Sequence, residues 1–207
     1  MHAYTTVARD ATVEIEVKHS VFRCTVQRVG TEDDARSLVA RLRKEHWDAR
    51  HHCSAFVLGP DGRLQRSSDD GEPAGTAGAP MLDVLVGAGV SDVAVVVSRW
   101  FGGTLLGAGG LVRAYSDAVR AGLAAAGTLQ RELMRELEVE IAPADAGRID
   151  NELRSRGFEV LDVAWSARVV LRLGAAPEDV ARLESVLGEL TGGAAEVRPA
   201  GERWVDR

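Results

Sequence analysis

Apolar and polar positions alternate over Val13–Lys18 and again over Val21–Val29, with only His19-Ser20 between the two stretches. Two β-branched, alternating segments this close together predict a hairpin. Thr31-Glu32-Asp33-Asp34 then has the form of a capping box, with Asp at the position more often held by Glu. Ala35, Leu38, Val39, Leu42 and His46 follow at helical spacing, and Arg41, Arg43 and Lys44 fall where a helix dipole favours cations. His52–Leu58 reads as a third strand, closed by the turn Gly59-Pro60-Asp61-Gly62. Across residues 66–80, RSSDDGEPAGTAGAP, the periodicity vanishes. A loop of that length in a compact domain is uncommon, and is usually functional or disordered. Met81–Val86 predicts a short helix, and Val93–Val97 a strand buried on both faces. That strand runs through Ser98-Arg99-Trp100-Phe101 into a stretch with five glycines in nine positions, residues 102–110. The helix after it places Leu111, Ala114, Tyr115, Ala118, Val119 and Leu123 on one face and Arg113, Asp117 and Arg120 on the other.

Past Gly127 the pattern changes. Glu136–Ile141 alternates strictly, with Leu137, Val139 and Ile141 on one side and three glutamates on the other. Pro143 opens a helix carrying Ala146, Ile149 and Leu153, and Gly157 closes it. Two strands follow, Phe158–Val163 and Ala167–Leu173. Pro177 opens a second helix with Val180, Leu183, Leu187 and Leu190, and Ala194–Arg198 forms a last short strand. The order β-α-β-β-α-β is that of a ferredoxin-like domain. The predicted class is therefore α+β, with an N-terminal domain over residues 1–128 and a ferredoxin-like domain over residues 129–207.

The 207 residues carry a net charge of −6, which disfavours a protein that simply coats nucleic acid. The charge is uneven: residues 1–128 hold 14 basic and 15 acidic side chains, residues 129–207 hold 11 and 16. Contact with a polyanion is thus expected in the first part, which also holds all five histidines. No apolar run approaches the roughly 20 residues of a membrane helix. Met1–Asp10 lacks a basic segment followed by an apolar one, so no secretory signal is expected and a cytoplasmic location is. Cys24 and Cys53 are too few for a disulfide scaffold or a four-cysteine zinc site.

The strand, glycine loop and helix over Val93–Leu123 carry the most chemistry. A helix N-terminus offers unpaired N–H groups and partial positive charge, and glycines let a bulky anion approach the backbone. Arg99 and Arg113 would add side-chain charge around Gly102, Gly103, Gly107, Gly109 and Gly110, making a phosphate-sized anion site. A tight crossover packed under Trp100 and Phe101 explains the same glycines without a ligand. No Gly-Lys-Ser/Thr follows the loop, and its glycines lack the dinucleotide-binding spacing. Asp69-Asp70-Gly71-Glu72 supplies three carboxylates in four residues, suited to a hard cation or acid–base work, or to a structural acidic turn. His46, His51, His52 and Cys53 look at first like zinc ligands, but the last three are consecutive on a strand, so their side chains alternate and one zinc ion cannot easily take them all. The expectation is no metal and no cofactor.

Two motifs are recognisable at this point. Asp69-Asp70-Gly71-Glu72-Pro73-Ala74-Gly75-Thr76-Ala77-Gly78-Ala79-Pro80 is the first. The second is Ser98-Arg99-Trp100-Phe101-Gly102-Gly103 with Leu106-Gly107-Ala108-Gly109-Gly110-Leu111-Val112-Arg113-Ala114-Tyr115. Together they resemble the IMPACT family, in its two-domain bacterial, YigZ-type branch. Lys18-His19-Ser20 before Phe22, and Ala49-Arg50-His51, also resemble family positions. Trp100 departs from the expected tyrosine, and Val21 from an arginine or similar polar residue. The resemblance covers essentially the whole chain. It implies an N-terminal domain similar to domain IV of elongation factor G, in a ribosomal-protein-like left-handed β-α-β class, and a C-terminal domain similar to domain V of that factor. It also implies that the loop Asp69, Asp70, Gly71, Glu72, Pro73, Gly75, Thr76 and Gly78 is a family motif. Eukaryotic members of the family regulate translation initiation.

Three functions compete on this basis. The leading expectation is a translation-associated, non-enzymatic protein that binds ribosomal RNA or a ribosome-bound partner through the glycine-rich anion site. The second is a small metal-dependent hydrolase or transferase built on Asp69, Asp70 and Glu72. The third is a protein-interaction module that does not bind RNA.

Overall fold

The computed structural model describes residues 2–207, which form two compact units, Ala3–Gln130 and Arg131–Arg207. In the first, β1 (Ala3–Val7) precedes the hairpin β2 (Ala11–Val17) and β3 (Ser20–Arg28). Then come α1 (Glu32–Glu45), the hairpin β4 (His51–Leu58) and β5 (Leu64–Ser68), α2 (Gly78–Gly87), β6 (Val93–Trp100) and α3 (Ala108–Ala126). Five strands form one sheet in the order β2-β3-β6-β4-β5, every neighbouring pair antiparallel.

The central strand β6 is buried on both faces, as its unbroken apolar run predicts. Val93, Val95 and Val97 pack with Phe22, Cys24, Cys53 and Ala55 under α2 and α3, whose Met81, Leu85, Tyr115, Ala118 and Val119 complete that core. Ala94 and Val96 face the other way, onto Leu38 and Leu42 of α1. The capping box forms as the sequence predicts, Thr31 Oγ1 accepting from the Asp34 amide and the Asp34 carboxylate accepting from the Thr31 amide.

The aperiodic stretch is shorter than its sequence suggests. Arg66–Ser68 belongs to β5, and α2 already begins at Gly78. β5 escapes detection because it is an edge strand whose residues 65–68 are all exposed, leaving no apolar alternation to read. β1, at Ala3–Val7, is likewise not among the strands expected from the sequence.

The second unit contains β7 (Thr128–Ile141), α4 (Ala146–Ser155), β8 (Glu159–Trp165), β9 (Val169–Ala175), a 3-10 turn at Pro177–Asp179, α5 (Val180–Thr191) and β10 (Val197–Asp206). Its strands pair antiparallel in the order β8-β9-β7-β10, a ferredoxin-like sheet. Leu137, Val139 and Ile141 face one core with Ile149, Leu153, Leu183 and Leu187, so both helices cover the same face. On the other face Glu136, Glu138 and Glu140 of β7 pair with arginines: Glu136 with Arg203 at 3.1 Å, Glu138 with Arg172 at 2.7 Å and Glu140 with Arg198 at 3.9 Å. The final strand begins at Val197, three residues later than the Ala194–Arg198 segment expected, and runs on to Asp206; its exposed Glu202 and Arg203 hide that extension from a hydrophobicity reading. No helix of the described residues is long and apolar enough to cross a membrane.

Candidate functional site

Strand register puts Arg99 of β6 between Phe22 of β3 and His51 of β4, and all three share the face covered by α3. The Arg99 side chain is 8% exposed and its ion-pair partner Glu72 only 3%. Arg99 Nη1 donates to Glu72 Oε1 at 2.5 Å, and the Tyr115 hydroxyl of α3 donates to the same oxygen at 2.7 Å. The guanidinium lies 5.3 Å from the Phe22 ring centre and 5.8 Å from that of Phe101. Its Nε is buried without a hydrogen-bond partner. Behind this pair, the Cys53 thiol sits 3.3 Å from the Tyr115 hydroxyl and 3.0 Å from the Asp69 carbonyl. Burial pushes the thiol up to about 12, and burial with Cys53 and Glu72 alongside also drives the Tyr115 phenol upward. Both groups therefore favour the protonated, neutral form.

The carboxylates of the acidic loop do not converge. Asp69 accepts from the amides of Gly75, Ala77 and Gly78 at 2.8, 3.0 and 2.7 Å, capping the start of α2. Burial opposes its charge, but the three N–H donors outweigh it and hold the carboxyl below its usual range. Asp70, in a left-handed backbone conformation, accepts from the His52 amide and the Arg43 guanidinium, both at 2.6 Å. Glu72 turns inward to Arg99. Thr76 Oγ1 donates to the Pro73 carbonyl at 2.6 Å, closing the loop on itself. Among the described residues no group of three His, Cys, Asp or Glu is placed to hold a metal ion.

The glycine loop divides into two functions. Gly102 is wedged against the β2–β3 turn: a Cβ there would lie 2.0 Å from the His19 carbonyl carbon, so only glycine fits. Its amide donates to Ser20 Oγ. Gly103 and Gly109 are exposed, and Gly110 sits in the first turn of α3 against Leu106. Gly107 caps α3 at φ 75°, ψ 164°, a conformation essentially reserved for glycine, and no side chain caps the helix. The first helical amides of α3 thus have neither an intrahelical acceptor nor a capping side chain.

A cavity of about 450 Å³ opens between these parts. Gly71, Glu72 and Pro73 of the acidic loop, Arg99, and Gly107 with Ala108 at the start of α3 all line it. Four further wall residues, Arg50, His51, Phe101 and Leu105, are absent from the sequence-level anion site. The His51 ring donates from Nδ1 to the Asp70 carbonyl at 2.9 Å, which in the neutral ring selects the tautomer with Nε2 as acceptor. Arg113 is exposed and lies outside the cavity wall, and among the described residues neither Arg50 nor Arg113 makes an ion pair or side-chain hydrogen bond. The charge available to a ligand therefore differs from the sequence picture. Glu72 neutralises Arg99, leaving Arg50 and the α3 amides as the positive groups of the wall. An Arg50-His51 pair before a strand was a visible signal, but its position beside Arg99 depends on the β4–β6 register, which sequence does not disclose.

Comparison with known proteins settles the ancestry of this arrangement. The Impact N-terminal domain matches residues 18–123, spanning the acidic loop, the glycine loop and most of α3. This chain belongs to the IMPACT family. Family member YvyE of Bacillus subtilis (strain 168) is 38% identical over 198 residues, covering 96% of this chain and 91% of that protein. Family member YigZ of Escherichia coli (strain K12) is 36% identical, over 95% of this chain and 98% of that one. Protein IMPACT of Rattus norvegicus is 36% identical over 95 residues only, 44% of this chain. The second unit matches a domain of unknown function (DUF1949) over residues 139–194. A solved structure titled as that of a hypothetical protein superposes with a TM-score of 0.68 at 34% identity, covering 97% of this chain and 98% of that one. Both motifs of this chain therefore meet at one cavity wall.

Proposed function

We propose that this IMPACT family protein is a translation-associated binding protein whose first unit grips RNA phosphate, on the ribosome or on a ribosome-bound RNA. The observation that carries the reading is the uncapped N-terminus of α3, opening on a cavity whose wall also holds the unpaired Arg50. Backbone amides at a helix start, joined by an arginine, suit a phosphate group. The buried Arg99–Glu72–Tyr115 assembly acts as the rigid floor that orients this wall. The acidic-loop carboxylates are engaged in holding the loop and α2 in place, which leaves the binding reading better supported than a metal-dependent hydrolase.

The test is ribosome co-sedimentation of the full chain at 50 and 200 mM salt, beside Arg50→Ala. Arg50 is exposed, so the variant is expected to fold. Wild-type binding should weaken steeply with salt, and the variant should flatten the log–log salt slope by roughly 0.7 if Arg50 meets a single-stranded phosphate. Absence of wild-type binding at low salt overturns the reading. Salt-insensitive binding that survives nuclease treatment also overturns it, in favour of a protein partner docking on the exposed Phe101 and Leu105.

A further inference from the structure

We infer that the cavity beside Arg99 seats one unstacked nucleotide, its phosphate on the α3 amides and its base against Phe101 and Leu105. The inference rests on the phosphate-binding reading and specifies what lies attached to the phosphate. A phosphate alone needs only the helix start. The cavity, at about 450 Å³, is within the range that takes a small organic ligand, and it extends from that helix start along an apolar wall. Phe101 is 43% exposed and Leu105 82% exposed, and both of these large apolar side chains line the same concave surface. The Phe101 ring is braced by the Arg99 guanidinium 5.8 Å away, which itself rests on Phe22 and is tied to Glu72. A ring held this way is a preorganised platform, and every nucleobase has a face to stack on it. His51 adds a directional group: with Nδ1 committed to the Asp70 carbonyl, Nε2 of the neutral ring accepts from a base amino group or ribose hydroxyl. A base within a duplex cannot enter a pocket of this shape, so the site selects single strands or free nucleotides.

The probe is adenosine 5′-monophosphate, titrated into the full-length protein and followed by amide NMR, with adenosine and inorganic phosphate as separate titrants. The expected result is movement of the Ala108, Gly109, Gly110 and Phe101 amide signals, with the mononucleotide binding at least roughly tenfold more tightly than either fragment. Phe101→Leu keeps apolar volume but removes the ring, and should weaken the mononucleotide by roughly fivefold or more while leaving phosphate unchanged. Leu105→Ser, at an exposed position outside the core, is a second variant with the same expected direction. A 12-nucleotide single strand and a matched RNA duplex identify the source. A strand tighter than the mononucleotide makes RNA the ligand, and a mononucleotide at least as tight makes it a free nucleotide. Both outcomes uphold the pocket. Shifts absent from these amides, inorganic phosphate binding as tightly as the mononucleotide, or unchanged affinity in both variants would overturn it. Ribosome binding that persists while the mononucleotide fails refutes the pocket alone; mononucleotide binding without ribosome binding refutes the translation reading alone.

Discussion

Replacing Arg99 with methionine should destabilise the first unit by about 3–5 kcal/mol, the cost of stranding a buried charge by removing its partner. The geometry places this pair at the severe end. Glu72 is 3% exposed at its side chain, Arg99 8%, and the contact is a 2.5 Å charge-assisted hydrogen bond. Methionine preserves much of the apolar stem, so lost packing adds little. With a urea m-value of about 1.5 kcal/mol/M, the midpoint for the first unit should fall by roughly 2–3 M. Glu72→Gln is the complementary change, since an amide oxygen still accepts from the Tyr115 hydroxyl while the carboxylate charge is gone. The double variant Arg99→Met/Glu72→Gln removes both charges and should recover at least about 2 kcal/mol relative to the sum of the single losses. Urea unfolding is best read at resolved amide signals of β6, which report the first unit separately from the second. A cost below about 1 kcal/mol for Arg99→Met would refute the reasoning, since it would mean that Glu72 finds water when its partner is gone. Strict additivity in the double variant would refute it equally, because the two side chains would then not be acting as one unit.

Gly102→Ala should cost at least about 1–3 kcal/mol, because its methyl group would overlap the His19 backbone and force the β2–β3 turn from the end of β6; thermal unfolding measures this, and a wild-type melting point would show that the turn yields freely. Asp69→Ala should cost about 1–2 kcal/mol by releasing the α2 cap, seen as faster amide exchange at Ala77 and Gly78. Because folding lowers the Asp69 carboxyl, its contribution is present above its ordinary range near pH 3.8 and is lost as pH falls through the lower folded value. Asp69→Asn should therefore be less stable at neutral pH and should lose less between pH 5 and pH 2, which thermal melts across that window will show or contradict.

Much of the architecture was written in local pattern. Period-two alternation marks β2, β3 and the core face of β7, the capping box marks α1, and the continuous valine run announces a central strand. These signals survive in one dimension because each reports whether successive side chains meet core or water. The two motifs, and with them the family, are likewise properties of residue order. What tertiary structure alone decided is which of the charged residues is free. Arg99 and Arg113 look equivalent in sequence, yet strand pairing buries the first on Glu72 and leaves the second exposed, away from the cavity. The three acidic-loop carboxylates read as one cluster, but the chain turns each toward a different partner, to the α2 amides, to Arg43 and His52, and to Arg99. Arg50 and His51 join the wall only because β4 lies beside β6 in a register that brings His51 opposite Arg99, 48 residues later in the chain. Local preference depends on neighbours a few residues away and is legible from order. Charge pairing and cavity shape depend on which distant strands become adjacent, and that is a property of the folded chain as a whole.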